Sequence, residues 1–169
     1  MGGLGRLLGM SRKRVLFVCL GNICRSPAGE GVFKHYVAER GLQGEFEADS
    51  AGTSAYHVGE PPDRRMRQAA SRRGLDLTGQ SRQFSERDFQ RFDLIVAMDR
   101  SNLRSIQAMD RKGRYQHKIK LFSDFVGDGF PVDVPDPYYG GRDGFDAVLD
   151  LLEEGMDGLL EHLAGSAGE

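Results

Sequence analysis

Hydrophobic and polar positions along this chain follow two periods, and the two alternate. "RVLFVCL" (14–20) is a continuous apolar run, the pattern of a strand buried on both faces. "SPAGEGVFKHYVAERG" (26–41) reads as a helix, with Ser26 as N-cap, Pro27 in the first turn and Gly41 closing the end. "EFEADSAG" (45–52) is a second strand, and "PPDRRMRQAASRRG" (61–74) a helix opened by proline and ended by glycine. "SERDFQRF" (85–92) is a short helix capped by Ser85, and "DLIVAM" (93–98) a third buried strand. Asp99 caps the helix "RSNLRSIQAM", and "HKIKLF" (117–122) is a fourth strand. "SDFVGDGFPVDVPDPYYGG" (123–141) is a long polar loop, and "GFDAVLDLLEEGMDGLLEHL" (144–163) an amphipathic terminal helix.

Four apolar strands alternating with helices predict an α/β fold, a four-stranded parallel sheet covered on both faces. Ligands of such sheets bind at the carboxyl ends of strands, and Cys19 stands at one.

Composition narrows the classes. At 169 residues, 39% hydrophobic and 28% charged, the chain is one soluble domain. A net charge of −2 offers no global basic field for nucleic acid, and no stretch is long and apolar enough for a membrane span. The start "MGGLGRLLGMSRKR" lacks the apolar segment of a signal peptide, and Arg6 stands where a myristoylated chain would have Ser or Thr. Residues 1–12 are expected to be a disordered extension, with Met10 an alternative start, and 13–165 the domain. Two cysteines make no disulfide framework, which points to the cytoplasm.

The chemistry concentrates in "VCLGNICRSP". A loop between a strand and a helix aims several backbone N–H groups into one hollow, and the helix N-terminus adds positive partial charge. Gly21 tolerates a positive φ, and Asn22 often adopts one. Arg25 can grip two oxygens of a phosphate with its planar fork. Ser26 can donate toward the Cys19 sulfur. Together these donors favour a thiolate beneath a bound tetrahedral oxyanion. There is no Gly-Lys-Ser/Thr of a nucleotide-binding loop, and Cys19 and Cys24 are too far apart for a C-x-x-C redox or zinc motif. A thiolate attacking phosphorus needs an acid for the leaving oxygen. Asp136 of "PDPYYGG" is the candidate, its backbone kept extended by Pro137. An isolated Asp-Pro pair is a common turn, so the Cys19 loop is what makes this aspartate a catalytic candidate.

"VLFVCLGNICRSP" with "DPYYGG" resembles the low molecular weight protein tyrosine phosphatases, and "DSAGTSAYHVGEPPDRRM" (49–66) and "FDLIVAMDRSNL" (92–103) extend the resemblance. It implies a phosphotyrosine phosphatase I-like fold. It also implies a phosphocysteine intermediate on Cys19, with Asp136 activating the water of the second step. It implies phosphate binding by Arg25 and the loop backbone, with Asn22 and Ser26 supporting. No metal or other cofactor is implied; the expected partners are phosphotyrosine proteins, with inorganic phosphate as product and neither nucleic acid nor membrane expected. By position, Leu20, Ile23, Tyr56, Tyr138 and Tyr139 become pocket walls, apolar and aromatic surfaces suited to a phenyl ring. The family often carries His-x-Ala-Arg-Gln after the second helix, the His bracing the loop asparagine; "GQSRQ" (79–83) has none, leaving Gln80 as the substitute. His57 lies beside the expected rim.

Two relatives by fold offer alternatives. Arsenate reductases of the multi-cysteine type need further cysteines, and none follows Cys24. Phosphoarginine phosphatases carry Thr where this chain has Ile23, and an apolar residue there favours an aryl ligand. A non-catalytic phosphate-binding redox sensor is the third. In any of these readings Cys24, in the same loop as Cys19, is a candidate disulfide partner for an oxidised Cys19.

Overall fold

Strand β1 (Lys13–Cys19) runs through the middle of the sheet because its side chains are apolar on both faces. Val15 and Phe17 point into one core and Leu16 and Val18 into the other, all four fully buried. The structure, a computed structural model, describes residues 12–141 and 143–166. β1 pairs in parallel with β2 (Phe46–Gly52) on one side and with β3 (Leu94–Ala97) on the other, and β3 pairs in parallel with β4 (Ile119–Leu121). The order is β2-β1-β3-β4. The first face is covered by α1 (Arg25–Glu39), α2 (Arg64–Ser71) and α5 (Asp143–Gly165), whose Phe33, Met66 and Leu152 join one core. The second is covered by the single turn α3 (Asp88–Arg91) and by α4 (Arg100–Met109), through Phe89 and Ile106. The expected parallel α/β architecture is therefore the observed one.

From β1 the chain crosses to β2 on one side, while β3 lies on the other. The crevice between the carboxyl ends of β1 and β3 is a topological switch point, where ligands of such sheets bind. α1 can lie close against the sheet there because Gly29 has no side chain: a Cβ would stand 2.8 Å from Phe17 Cδ1 and 2.9 Å from Met98 Cε.

Several boundaries differ from expectation. α1 begins at Arg25, so Ser26 is inside its first turn and does not cap it. α2 begins at Arg64, because the Asp63 carboxylate accepts from Arg65 N and Met66 N and so caps it. Ser85 does not cap the next helix either; its N–H donates to the buried Asp88 carboxylate, which reaches back and confines α3 to one turn. β4 is shorter than expected, and His117 lies in a 3-10 turn (Gln116–Lys118) before it. That turn forms because Lys118 is pulled inward, its ammonium donating to the carbonyls of Phe89 and Phe92 at 2.7 and 3.0 Å. The long loop contains two 3-10 turns, Phe122–Phe125 and Pro137–Tyr139. The expected extension falls almost wholly on residues 1–11, outside the described residues.

Candidate active site

β1 ends at Cys19, and the chain turns back through residues 20–24 before α1 starts. The turn is made by Asn22, at φ 56°, the one non-glycine residue with positive φ among those described. Gly21 was expected to share this role, but its φ is not positive; it is needed for space, since a Cβ there would stand 2.8 Å from His57 Cδ2. The left-handed Asn22 is held by its side chain. Arg82 N donates to its Oδ1 at 2.9 Å, and its Nδ2 donates to Ser26 Oγ at 2.7 Å and Ser50 Oγ at 3.0 Å. Such over-determination is what lets a strained conformation persist. Among the described residues, none of the backbone N–H groups from Leu20 to Ser26 is donated to a protein acceptor. They form a ready cradle for an anion.

The Cys19 thiol is buried under this loop, with Ser26 Oγ 3.1 Å from its sulfur. Because Ser26 is not spent as a cap, its hydroxyl is available to the sulfur, with Ala51 O at 3.3 Å as the alternative acceptor.

Arg25 is the clamp. Its Nη1 donates to Asp99 Oδ2 at 2.6 Å and to Val134 O at 3.0 Å, which anchors the inner edge of the guanidinium. Its Nη2 reaches Asp136 Oδ2 at 3.4 Å, and its buried Nε has no protein partner. One edge is thus fixed, and the Nε and Nη2 donors remain for a ligand. Burial opposes the Arg25 charge, but the Cys19 sulfur, Asp99 and Asp136 outweigh it and raise the guanidinium pKa. Asp136 caps the 3-10 turn that follows it: its Oδ1 accepts from Tyr138 N at 3.1 Å while its Oδ2 faces Arg25.

Cys19, Arg25 and Asp136 all line one cavity of about 510 Å³, walled by Leu20, Ile23, Tyr56, His57 and Tyr138. That volume admits an aryl phosphate with room to spare. Tyr56 is 83% exposed and stands on the rim, whereas Ile23 is buried against the base. Tyr138 is steadied by the His57 ring at 5.9 Å and by the Arg65 guanidinium at 5.4 Å. The side chain of Tyr139, expected as a further wall, lies outside what the structure describes. Cys24 is buried at the end of the loop, and burial first, then Asp63 and the Cys19 sulfur, pushes its thiol well up. It is a neutral thiol at neutral pH. Gln80 does not brace Asn22: it is exposed, and the backbone of Arg82 and the hydroxyl of Ser50 do so instead.

The sequence matches the family model described as low molecular weight phosphotyrosine protein phosphatase over residues 14–167. The chain belongs to that family. YfkJ of Bacillus subtilis, a low molecular weight protein-tyrosine-phosphatase, is 44% identical over 147 residues, covering 86% of this chain and 92% of YfkJ. The crystal structure of YfkJ superposes with a TM-score of 0.86 at 40% identity, covering 93% of this chain and 98% of that one. A low molecular weight protein-tyrosine-phosphatase of Streptomyces coelicolor is 44% identical over 149 residues, covering 87% and 91%. The crystal structure of an arginine phosphatase from Drosophila superposes at a TM-score of 0.82 and 37% identity, covering 88% and 96%. The family expected from the loop and "DPYYGG" is the family found, and with it the class: a protein tyrosine phosphatase, a hydrolase.

Sequence reasoning missed part of this phosphatase's site. Asp99 was read only as a cap. It does cap α4, with Asn102 N at 2.7 Å from Oδ1, but its other oxygen anchors Arg25. Gly52 carried no signal on its own; a Cβ there would stand 2.7 Å from Leu20 O, inside the cradle. Arg82 is the third. Its guanidinium is bidentate on the buried Asp88 carboxylate, at 3.0 and 3.1 Å, and touches Asp49 at 3.1 Å, fixing the backbone that holds Asn22.

Proposed function

We propose that this phosphatase hydrolyses phosphotyrosine and small aryl phosphates through a phosphocysteine on Cys19. The observation that supports this most is the convergence of the Cys19 sulfur, the half-anchored Arg25 and Asp136 on one cavity with aromatic walls. The loop N–H groups, with Arg25 Nε and Nη2, hold the non-bridging phosphate oxygens, and the same donors stabilise the charge that builds on them in the transition state. The sulfur attacks phosphorus from below. The phosphorus–oxygen bond to the aryl group breaks on the opposite side, where Asp136 delivers its proton to the leaving oxygen. In the second step the Asp136 carboxylate takes a proton from water, the oxygen attacks phosphorus, and the sulfur leaves as a thiolate that the Ser26 hydroxyl receives. The products are the phenol and inorganic phosphate. Leu20, Gly21, Asn22, Ile23, Cys24 and Ser26 form and support the phosphate loop, and Tyr56 and Tyr138 flank the ring.

The same reading takes 13–165 as the phosphatase domain and places the enzyme in the cytoplasm, where its two free thiols stay reduced. Its partners are phosphotyrosine proteins and not nucleic acid. Oxidation of Cys19 is reversible if Cys24 captures the sulfenic acid as a disulfide. Among the described residues no helix is long and apolar enough to cross a membrane.

Cys19→Ser tests the reading. The alcohol is a far poorer nucleophile, so hydrolysis of p-nitrophenyl phosphate is expected to vanish while inorganic phosphate still binds. Steady turnover by that variant would overturn it. Running phosphotyrosine, phosphoarginine and arsenate side by side sets the substrate class; Ile23 at the pocket base favours the aryl ester.

A further inference from the structure

The hydrogen-bond network behind the phosphate loop does not stop at Asn22 and Ser50. Ser50 Oγ donates onward to Glu30 Oε1 at 2.8 Å, and Glu30 Oε2 is paired with Lys34 one turn further along α1. Glu30 is largely buried, its side chain 15% exposed, and Lys34 lies at the surface. No feature of the loop itself points to either residue, yet they end a continuous path: Lys34, Glu30, Ser50, Asn22, Ser26, Cys19.

Donor and acceptor chemistry gives this path a direction. An ionised carboxylate only accepts, so Ser50 must spend its one hydrogen on Glu30. The Ser50 oxygen is then left to accept from Asn22 Nδ2. Arg82 N occupies Asn22 Oδ1, which settles the amide orientation and sends the second Nδ2 hydrogen to Ser26. Ser26 therefore accepts from Asn22, and its own hydrogen is free for the Cys19 sulfur or for Ala51 O. When the sulfur is anionic it is the stronger acceptor and takes that hydrogen. The Glu30–Ser50 bond is charge-assisted and polarises the bonds beyond it. Lys34 offsets the Glu30 charge, so that it does not oppose the sulfur's.

We infer that Glu30, balanced by Lys34, is a positioning residue for the Cys19 thiolate, acting through Ser50 and Asn22. It orders the network that pins the left-handed turn at Asn22 and keeps the Ser26 hydroxyl turned to the sulfur. The inference rests on Cys19 being the nucleophile, and its test is independent of turnover. The rate of iodoacetamide alkylation of Cys19 at neutral pH reads thiolate availability directly, with tandem mass spectrometry separating Cys19 from Cys24. Glu30→Ala is expected to slow alkylation about tenfold, as for loss of one charge-assisted hydrogen bond. Ser50→Ala is expected to slow it similarly, and Glu30→Ala added to Ser50→Ala to have no further effect, because the path is already cut. Thermal melting of each variant identifies those that remain folded. Glu30→Gln, which keeps an acceptor for Ser50 but loses the charge that strengthens the bond, should slow alkylation less, about threefold, and covers the case in which alanine unfolds the chain. Unchanged alkylation in folded Glu30→Ala or Glu30→Gln, or full additivity with Ser50→Ala, would overturn the inference while leaving the phosphatase assignment intact.

Discussion

Two loops meet at the cavity, and they are built differently. The loop at residues 20–24 is short and buried from Asn22 to Cys24, and its asparagine is held by three side-chain hydrogen bonds. The loop that brings Asp136 is long and exposed from Asp128 to Val132. It is tied down at few points: Val134, whose N–H donates to Met98 O and whose carbonyl accepts from Arg25, Asp133 on Arg100, and the turn after Asp136. The difference matches the two tasks proposed for them. Holding an anion above a sulfur demands donors fixed in advance, because reorganising them during the reaction costs barrier height. A proton donor must meet leaving groups of different shape and then a water, so a more loosely held loop suffices. Exposed Phe130 and Val132 lie on the second loop, as do the few ties that link it to the sheet.

The comparison predicts that damage to the first loop's clamp costs more than damage to the second loop's ties. Among changes to the clamp and the ties, the largest effect is expected for Arg25→Lys. An ammonium cannot reproduce a fork with one edge on Asp99 and the other on phosphate, so kcat should fall about 10²- to 10³-fold in a p-nitrophenyl phosphate assay. Next comes Gly52→Ala. A Cβ 2.7 Å from Leu20 O must displace the cradle backbone; the variant should lose about 1–3 kcal/mol in chemical denaturation and bind inorganic phosphate more weakly. The smallest is Asp133→Ala, which removes the exposed pair with Arg100. Stability should change by less than about 1 kcal/mol and kcat/KM by only a few-fold. Hydrogen bonds from Arg100 hold the Asp133 carboxylate below its ordinary value of 3.8, so its tie stabilises the fold at neutral pH. The contribution is lost only as pH falls below that value through the lowered one, and the difference between Asp133→Ala and the parent chain should close there. A loss for Asp133→Ala equal to that for Arg25→Lys would erase the distinction between the loops.

That Cys19 and Arg25 share one site was legible because they fall within seven contiguous residues at a strand end, where spacing alone carries the geometry. Asp136 was legible from its Asp-Pro context and the family resemblance. The supports were not, because sheet register brings them together from far along the chain. Ser50 is 28 residues from Asn22, Arg82 is 60 from it, and Asp99 is 74 from Arg25. The helix begins at Arg25 and not after Ser26, so of the two roles the spacing suggested for Ser26, cap and partner of the sulfur, only the second is observed. Gln80 was misread because a side-chain brace was sought where a backbone N–H provides it. Gly79, at φ 88°, turns the chain so that Gln80 faces outward and Arg82 N faces Asn22.

The central claim is that the second loop delivers a proton to a substrate already held by the first. It is tested most directly by Asp136→Asn with two aryl phosphates of equal size, one with a tyrosine-like and one with a nitrophenol-like leaving group, measuring phosphorylation of Cys19 in a single turnover. The account predicts a loss of about 10²- to 10⁴-fold for the poor leaving group, which needs the proton, and a much smaller loss for the good one. An equal loss for both, or none for either, would contradict it and reduce Asp136 to the cap of its own turn.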